Sequence, residues 1–524
     1  MSTSARRVTA MPQAVFQITV FLALCVLYGG FLAQPIDLTT ADLGRHLKNG
    51  ELFFQHHVIP RTNLYSYTYP DYPFLNHHWA SGVVLYAIER LTGFTGLSLF
   101  FIGVSLMTFF LFFRLAWKSA GFPLAALTAV LVIPVLASRR EIRPELFSSL
   151  FSGVFFWVLW HYRQHTLSRR WLVVLPLIEC GWVNLHIYFF VGLLLVAVFL
   201  LEAVLVRGGA PDAVRSQRQA LGLVFLVTVL ATLVNPSGVA GAIHPFQIYH
   251  NHGYRVFEEQ SAWFIERLFR FPSAIYFKLT LAVLLGSWVF AFIKRTPLSV
   301  ANGILSVFSA VLGSLMIRHF VLFGYFALPL IATNLHRGQP RPWWSARRAV
   351  GLVAMMGLLT AGLVALHPPY WPTRGTLGLG VKPGVANAIE FFQRARLQGP
   401  ILNNYDIGSY LIYYLYPTQR VFVDNRPESY PAEFFKQVYI PLQTDEIRWK
   451  EADQRYQFDV IFFYRLDATP WGQDFLIRRV FDPAWAPVYV DASTIILVKR
   501  SGPNHSIAET YELPKSLFTV RRLR

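Results

Sequence analysis

The chain has 524 residues, of which 54% are hydrophobic and 15% charged, and it carries a net charge of +18. Soluble domains carry about 25% charged residues, so this composition excludes an ordinary soluble protein. The position of the positive charge leaves no need for a nucleic-acid partner, because nearly all of the excess sits in short segments between long apolar runs.

In chain order, apolar runs at 13–34, 95–116, 122–138, 146–161, 171–186, 187–206, 219–234, 274–293, 297–316, 319–334 and 348–367 read as about eleven membrane-spanning helices. A ~30 Å hydrocarbon layer needs runs of this kind. With the N-terminus in the cytoplasm, the cytoplasmic segments hold sixteen basic residues, among them Arg6, Arg7, Arg207, Arg337 and Arg341, against one acid, Asp212. That is the positive-inside bias. The first run is too long for a signal-peptide core and reads as an uncleaved helix. Residues 78–93 are short, moderately apolar and contain Glu89 and Arg90, so they are expected to lie as an amphipathic helix in the outer interface. Eleven crossings then leave the C-terminal part outside the cytoplasm, in the cytoplasmic (inner) membrane's outer compartment. Cys25 and Cys180 both fall in apolar runs and suggest neither a disulfide framework nor a metal cluster.

The first outer loop, residues 35–94, is rich in Asp, His, Asn, Trp and Tyr. Loops this long are usually functional or disordered, and the aromatic content argues against disorder. Asp42 and His46 stand four apart and share a helix face, with Asp37 upstream. A carboxylate beside a histidine can serve as a general base or orient a cation. The alternative is helix capping by Thr39, Thr40 or Asp42. Asn76, His77 and His78 are consecutive, and neither this histidine pair nor His56–His57 has the four-residue spacing of a helical metal site. Hydrogen bonding to a polar substrate is the expectation, with a divalent metal left open.

Further along, Arg139, Arg140 and Arg143 break the positive-inside bias and are candidates to clamp a phosphate. Pairing with Glu141 and Glu145 inside the same loop is the alternative. Asn184 and His186 end the fifth span, Arg318 and His319 lie between the ninth and tenth, and Glu179 sits deeper, where an ionisable group implies a cavity or a partner. The loop 235–273 adds His244, His250, Arg255, Glu258 and Glu259. These polar groups converge on one membrane face and predict an outward-facing site there.

After the Pro-rich stretch at 367–372 the apolar runs stop, and residues 368–524 read as a soluble α/β domain. Helices are expected at 385–396 and 408–415, and strands at 400–405, 420–424, 460–464, 486–490 and 494–499. Asp406, Asp424 and Arg426 fall at strand ends, where open α/β sheets place ligand contacts, although turn or capping roles account for them equally well.

The segments Asp42-Leu-Gly-Arg45-His46, Pro60-Arg-Thr-Asn63, Asn76-His77-His78-Trp79, Arg143-Pro-Glu145, Trp182-Val-Asn184-Leu-His186, Asn235-Pro236, Asn404-Tyr-Asp406 and Val423-Asp-Asn-Arg426 run in order along the chain. Together they resemble the GT-C superfamily of polytopic membrane glycosyltransferases, in particular a bacterial and archaeal branch with a C-terminal soluble domain. The resemblance implies a sugar donor on a polyprenyl phosphate, an unidentified glycan, lipid or protein acceptor, and inversion at the anomeric carbon. It implies that an acid in the first outer loop acts on the acceptor as base or positions it. Asp42 matches that position, with Asp37 as runner-up. Arg139, Arg140 or Arg143 would meet the lipid phosphate, and Arg45, His46, Asn76, His77, His78, Glu145, Asn184, His186, Arg318 and His319 complete the substrate-binding set. The alternative is a transporter, or a non-catalytic subunit of a polysaccharide or lipid export assembly.

Overall fold

The computed structural model describes residues 12–205, 211–247, 252–268, 271–296, 299–336, 345–372 and 377–518. Arg6, Arg7, Arg207, His250, Arg337, Arg341 and residues 521–524 lie outside the described residues.

Every predicted span coincides with a helix. The first eight helices of the chain are α1 (Gln13–Leu32), α2 (Leu43–His56), α3 (Trp79–Ala120), α4 (Phe122–Leu136), α5 (Glu145–Arg163), α6 (Val174–Leu185), α7 (Phe190–Leu205) and α8 (Pro211–Ala231). Long apolar helices follow at Pro272–Ile293, Val300–Leu315, Phe320–Leu335 and Ala346–Leu366. Among the described residues, five stretches are long and apolar enough to cross a membrane by length and composition, namely Gln13–Leu32, Trp79–Ala120, Ile187–Leu205, Pro272–Ile293 and Arg347–Leu366. Phe122–Leu136 and Val300–Leu315 are shorter apolar helices. The amphipathic stretch after His78 runs into the second span as one helix, bent at Gly93, whose φ of 66° a side chain would disfavour.

Phe320–Leu335 is buried along nearly its whole length and packs on α3, α4 and Pro272–Ile293. Its Tyr325 ring stacks on Phe112 at 5.2 Å, and its hydroxyl lies 3.1 Å from that of Tyr28. At one end of the bundle, Glu202 of α7 accepts from Arg163 of α5 at 3.1 Å and from Ser299 at 2.6 Å. Ser299 in turn caps Val300–Leu315. The loops with the polar excess meet at the opposite end.

The C-terminal part holds a four-stranded sheet of β1 (Ile401–Asn403), β2 (Val460–Tyr464), β3 (Trp485–Val490) and β4 (Thr494–Lys499) in the order β1-β2-β4-β3. β1 and β2 run parallel and the other pairs antiparallel. The expected helices appear at Asn387–Arg394 and Gly408–Leu415. Residues 420–424 form no strand of this sheet. Their backbone is taken by the first outer loop instead: Val421 donates to the Tyr65 carbonyl at 3.0 Å and accepts from the Tyr67 amide at 3.1 Å. Asp424 and Arg426, for which ligand contacts and turn or capping roles were both open, form a fully buried ion pair at 2.6 Å. Arg426 also donates to Asn63 of the same loop at 2.8 Å. Both therefore fasten the outer loop to the C-terminal part, as a second bridge does between Ile36 and Val381.

α2 is wedged between the first half of α3 and the helix Gly408–Leu415. Two glycines permit this approach. A Cβ on Gly50 would sit 2.3 Å from the Gly82 carbonyl oxygen, and one on Gly44 would sit 2.7 Å from that of Ser409. We therefore expect Gly50→Val to destabilise the fold by about 1–3 kcal/mol, read as a lower thermal unfolding midpoint in detergent. An unchanged midpoint would show that this helix contact does not hold the outer loop.

Candidate functional site

Asp42 occupies the N-cap position of α2, yet its side chain makes no capping hydrogen bond. The capping explanation therefore does not account for it. Its Oδ2 accepts from Arg143 Nη1 at 3.0 Å, and its Oδ1 accepts from the Asn425 side-chain amide. Arg143 stands just ahead of α5, and its guanidinium also meets Glu141 at 2.8 Å and Glu258 at 3.0 Å. Arg139 reaches Glu258 at 2.7 Å and Glu145 at 3.4 Å. Arg318 reaches Glu259 at 3.0 Å. The intraloop pairing considered from sequence is thus present, but it is extended by acids from two distant loops.

Three cavities meet at this cluster. One, of about 550 Å³, descends between helices past Tyr28, Phe101, Leu146 and Tyr325, with Arg139, Arg143 and Arg318 on its wall. A second, of about 840 Å³, is lined by Asp42, Arg45, His46, His77, His78 and His186 together with Arg143. The third, of about 1540 Å³, lies under the C-terminal part, between Asp42, Arg143, Tyr254, Tyr405 and Asp406. Arg143 lines all three.

The electrostatics follow from burial against pairing. Burial raises the Asp42 carboxyl above its ordinary value, while Arg143 and Arg45 pull it down. For Glu258, burial is overcome by Arg139, Arg143 and Arg318, which hold it well below the carboxylate range. Burial, reinforced by neighbouring cations and imidazoles, pushes His46, His77 and His78 well below theirs and keeps them neutral. His46 and His78 pack edge to face at 4.7 Å, and Arg45 donates to His78 at 3.4 Å.

Other expected residues lie elsewhere. Asp37 pairs with Lys382 at 2.8 Å and accepts from the Thr39 amide. Arg140 turns away from Arg139 and Arg143, donates to the Tyr370 carbonyl at 3.0 Å and lies over the Tyr370 ring. Asp37 and Arg140 share a separate cavity of about 760 Å³. Asn184 is structural: it accepts from Trp79 Nε1 at 2.9 Å and donates to the Val234 carbonyl at 2.7 Å. His186 lines the second cavity with one ring nitrogen 2.8 Å from Ser148 Oγ. His319 is buried with its Nδ1 at 3.1 Å from the Leu312 carbonyl. Asn76 is buried, neither polar side-chain atom has a hydrogen-bond partner among the described residues, and it lies outside these cavities' walls.

Sequence reasoning counted Glu258 and Glu259 among the outer-face polar groups but gave them no role, and it did not assign Asn425 or Tyr405 to the site. The adjacent acids at 258–259 in an outer loop were the available signal, since three arginines in other outer loops needed partners. As for a divalent metal, no group of three or more His, Cys, Asp or Glu among the described residues is placed to hold one. Asp42, Glu258 and Glu259 are paired with guanidinium groups, so a cation would have to displace an arginine from each. These three acids do not fit the metal.

No protein-family model matches the chain, and no curated protein does. Solved structures do. The archaeal oligosaccharyltransferase AglB from Archaeoglobus fulgidus superposes with a TM-score of 0.58 at 9% identity, over 92% of this chain and 74% of its own. ArnT from Cupriavidus metallidurans in the apo state gives 0.52 at 14% identity, over 93% and 98%. The mycobacterial arabinofuranosyltransferase AftD gives 0.54 at 13% identity, over 94% and 40%. The chain shares the fold of these three proteins. In that fold, Asp42 lies just beyond the first helix and Arg143 beside it.

Removing the Arg143 guanidinium strips Asp42 of its ion-pair partner, and breaking such a pair costs about 3 kcal/mol or more. Arg143→Leu is expected to lower the thermal midpoint accordingly. Glu258→Gln tests the same cluster by pH. The folded carboxyl is depressed, so its stabilisation is present above the ordinary value of 4.5 and lost as pH falls towards the folded value. The wild-type advantage over Glu258→Gln should be complete at pH 7 and shrink below 4.5; a constant difference across that range would contradict the ion pairing.

Proposed function

We propose that the chain is a membrane glycosyltransferase that moves a sugar from a polyprenyl-phosphate donor to an acceptor on the extracytoplasmic face, with inversion at the anomeric carbon. The observation that carries this reading is Arg143, which touches Asp42 and lines both the inter-helix groove and the outer cavities. AglB, which shares the fold, was solved in complex with an inhibitory peptide and a dolichol-phosphate.

In this reading the lipid chain lies along Tyr28, Phe101, Leu146 and Tyr325, and the phosphate meets Arg139, Arg143 and Arg318 at the groove's mouth. Arg139 retains a buried Nε with no hydrogen-bond partner among the described residues, a donor available to a phosphate oxygen. As the glycosidic bond breaks, negative charge grows on the phosphate oxygen, and guanidinium groups already oriented there stabilise it without reorganising. Asp42, with His46, His77 and His78 beside it as neutral hydrogen-bonding groups, binds the acceptor next to the sugar.

The same reading sets the topology: eleven crossings of the cytoplasmic membrane, the N-terminus in the cytoplasm, a transmembrane domain over 1–367 and an extracytoplasmic domain over 368–524. A second reading, as a transporter or non-catalytic subunit of an export assembly, keeps one observation. Glu179 of α6 is fully buried, and neither carboxylate oxygen has a hydrogen-bond partner among the described residues.

Turnover of a panel of polyprenyl-phosphate sugars in proteoliposomes, with a crude envelope extract as acceptor, separates the two. The intact protein should release polyprenyl phosphate, and Asp42→Asn should slow it by about 100-fold or more. If a folded intact protein consumes no donor, the transport reading takes precedence.

A further inference from the structure

Asp42 is committed to holding two side chains. One oxygen holds Arg143 and the other holds the Asn425 amide, so both are already engaged. A second carboxylate faces the same large cavity. Asp406 sits in the turn between β1 and the helix Gly408–Leu415. No hydrogen bond or ion pair ties its carboxylate among the described residues.

Its surroundings have the chemistry of a site waiting for a hydroxylated ligand. Tyr405 and Asn425 line the same cavity, and Tyr405 Oη and Asn425 Oδ1 are each buried with no hydrogen-bond partner among the described residues. They add an unused donor and an unused acceptor to the residues of its wall. Leaving such groups buried and unmatched is unfavourable, and a ligand hydroxyl would relieve it. Asp467, the nearest acid from the β2 side, is held in place by Asn404 at 2.8 Å and by the Thr469 amide at 2.8 Å. Its position in the wall of the cavity is therefore fixed.

We infer that Asp406 is the catalytic base, taking the proton from an acceptor hydroxyl bound between Tyr405 and Asn425 in the cavity it shares with Asp42. The inference rests on the glycosyl-transfer reading above and names the class of acceptor as a hydroxyl. In the step, the acceptor oxygen forms its bond to the anomeric carbon as the bond from that carbon to the phosphate oxygen breaks. The electron pair stays on the lipid phosphate, facing Arg139 and Arg143, and the acceptor proton passes to the Asp406 carboxylate. No oxidant, reductant or further reactant is required.

Charged and titratable groups from four loops line the cavity with Asp406. Asp42 comes from the first outer loop, Glu258 and Arg255 from the loop 235–273, Arg139, Glu141 and Arg143 from the loop before α5, and Asp467 from the loop after β2. The hydroxyls of Tyr254 and Tyr405 complete the wall. Burial, then Asp467 and Asp42, push the Asp406 carboxyl up to about 7. A base that titrates near the working pH combines an adequate ionised fraction with a strong pull on the proton.

The test uses full-length protein in proteoliposomes with the donor panel and envelope extract, comparing wild type, Asp406→Asn, Asp406→Glu and Asp42→Asn across pH 5 to 9. Thermal midpoints confirm that each variant is folded. Wild-type kcat should rise through pH about 7. Asp406→Asn should lose about 100-fold or more in kcat with donor KM changed less than about threefold, and should lack the rise. Asp406→Glu should recover part of the rate, and the residual activity of Asp42→Asn should keep the rise. Turnover by the intact protein with an Asp406→Asn variant of unchanged kcat, or with the same pH rise, would overturn this inference alone. No turnover by the intact protein would overturn the transferase reading and this inference with it.

Discussion

The arrangement depends on one guanidinium. Arg143 sits 13% exposed among carboxylates from three segments: Asp42 of the first outer loop, Glu141 of its own loop and Glu258 of the loop before Pro272–Ile293. An arginine is always charged, and its planar fork presents several donors at fixed angles, so it can hold acids from different directions at once. A lysine at this place would offer a point charge without that geometry. Taking these charges from water is costly, and only their mutual attraction and hydrogen bonds offset it. The three loops are therefore obliged to meet where Arg143 stands.

That meeting point needs a rigid support, and α2 supplies it. Close backbone contacts at Gly44 and Gly50 press the helix between α3 and Gly408–Leu415. The Asp424–Arg426–Asn63 cluster, fully buried, anchors the outer loop to the C-terminal part from the other side. Asp42, at the start of α2, is thereby held against Arg143 and Asn425 rather than turned to its own helix. The C-terminal part thus completes the site, contributing Tyr405, Asp406 and Asn425 to the walls of its cavities.

Much of the architecture was legible because it follows from local physics. Long apolar runs must be helical in a membrane, since their backbone groups have no water to bond. The predicted spans accordingly coincide with helices from Gln13 to Leu366. β1, β2, β3 and β4 were expected for the same local reason, as short apolar runs between turns. The run 420–424 misled because an apolar extended segment does not name its partner, and here the partner is Tyr65 to Tyr67 rather than the sheet. Asp42, His46 and Arg143, all singled out from the sequence, line one cavity. Arg140 and Asn184 were not separable from them by residue type, because their side chains turn to Tyr370, Trp79 and Val234 only through the packing of distant helices.

By itself the sequence determined the membrane class, the order of helices and strands, and the concentration of acids, arginines and histidines in the loops at one end of the bundle. These are properties of composition and period, written into each segment alone. Tertiary structure decided which acid meets which arginine, that Glu258 and not Glu145 is the principal partner of Arg139, and that Asp406 faces the cavity untied while Asp424 is locked to Arg426. The reason is physical: whether a charged side chain is a fastening or a reactive group depends on what desolvates it and what pairs with it, and both are settled by residues hundreds of positions away.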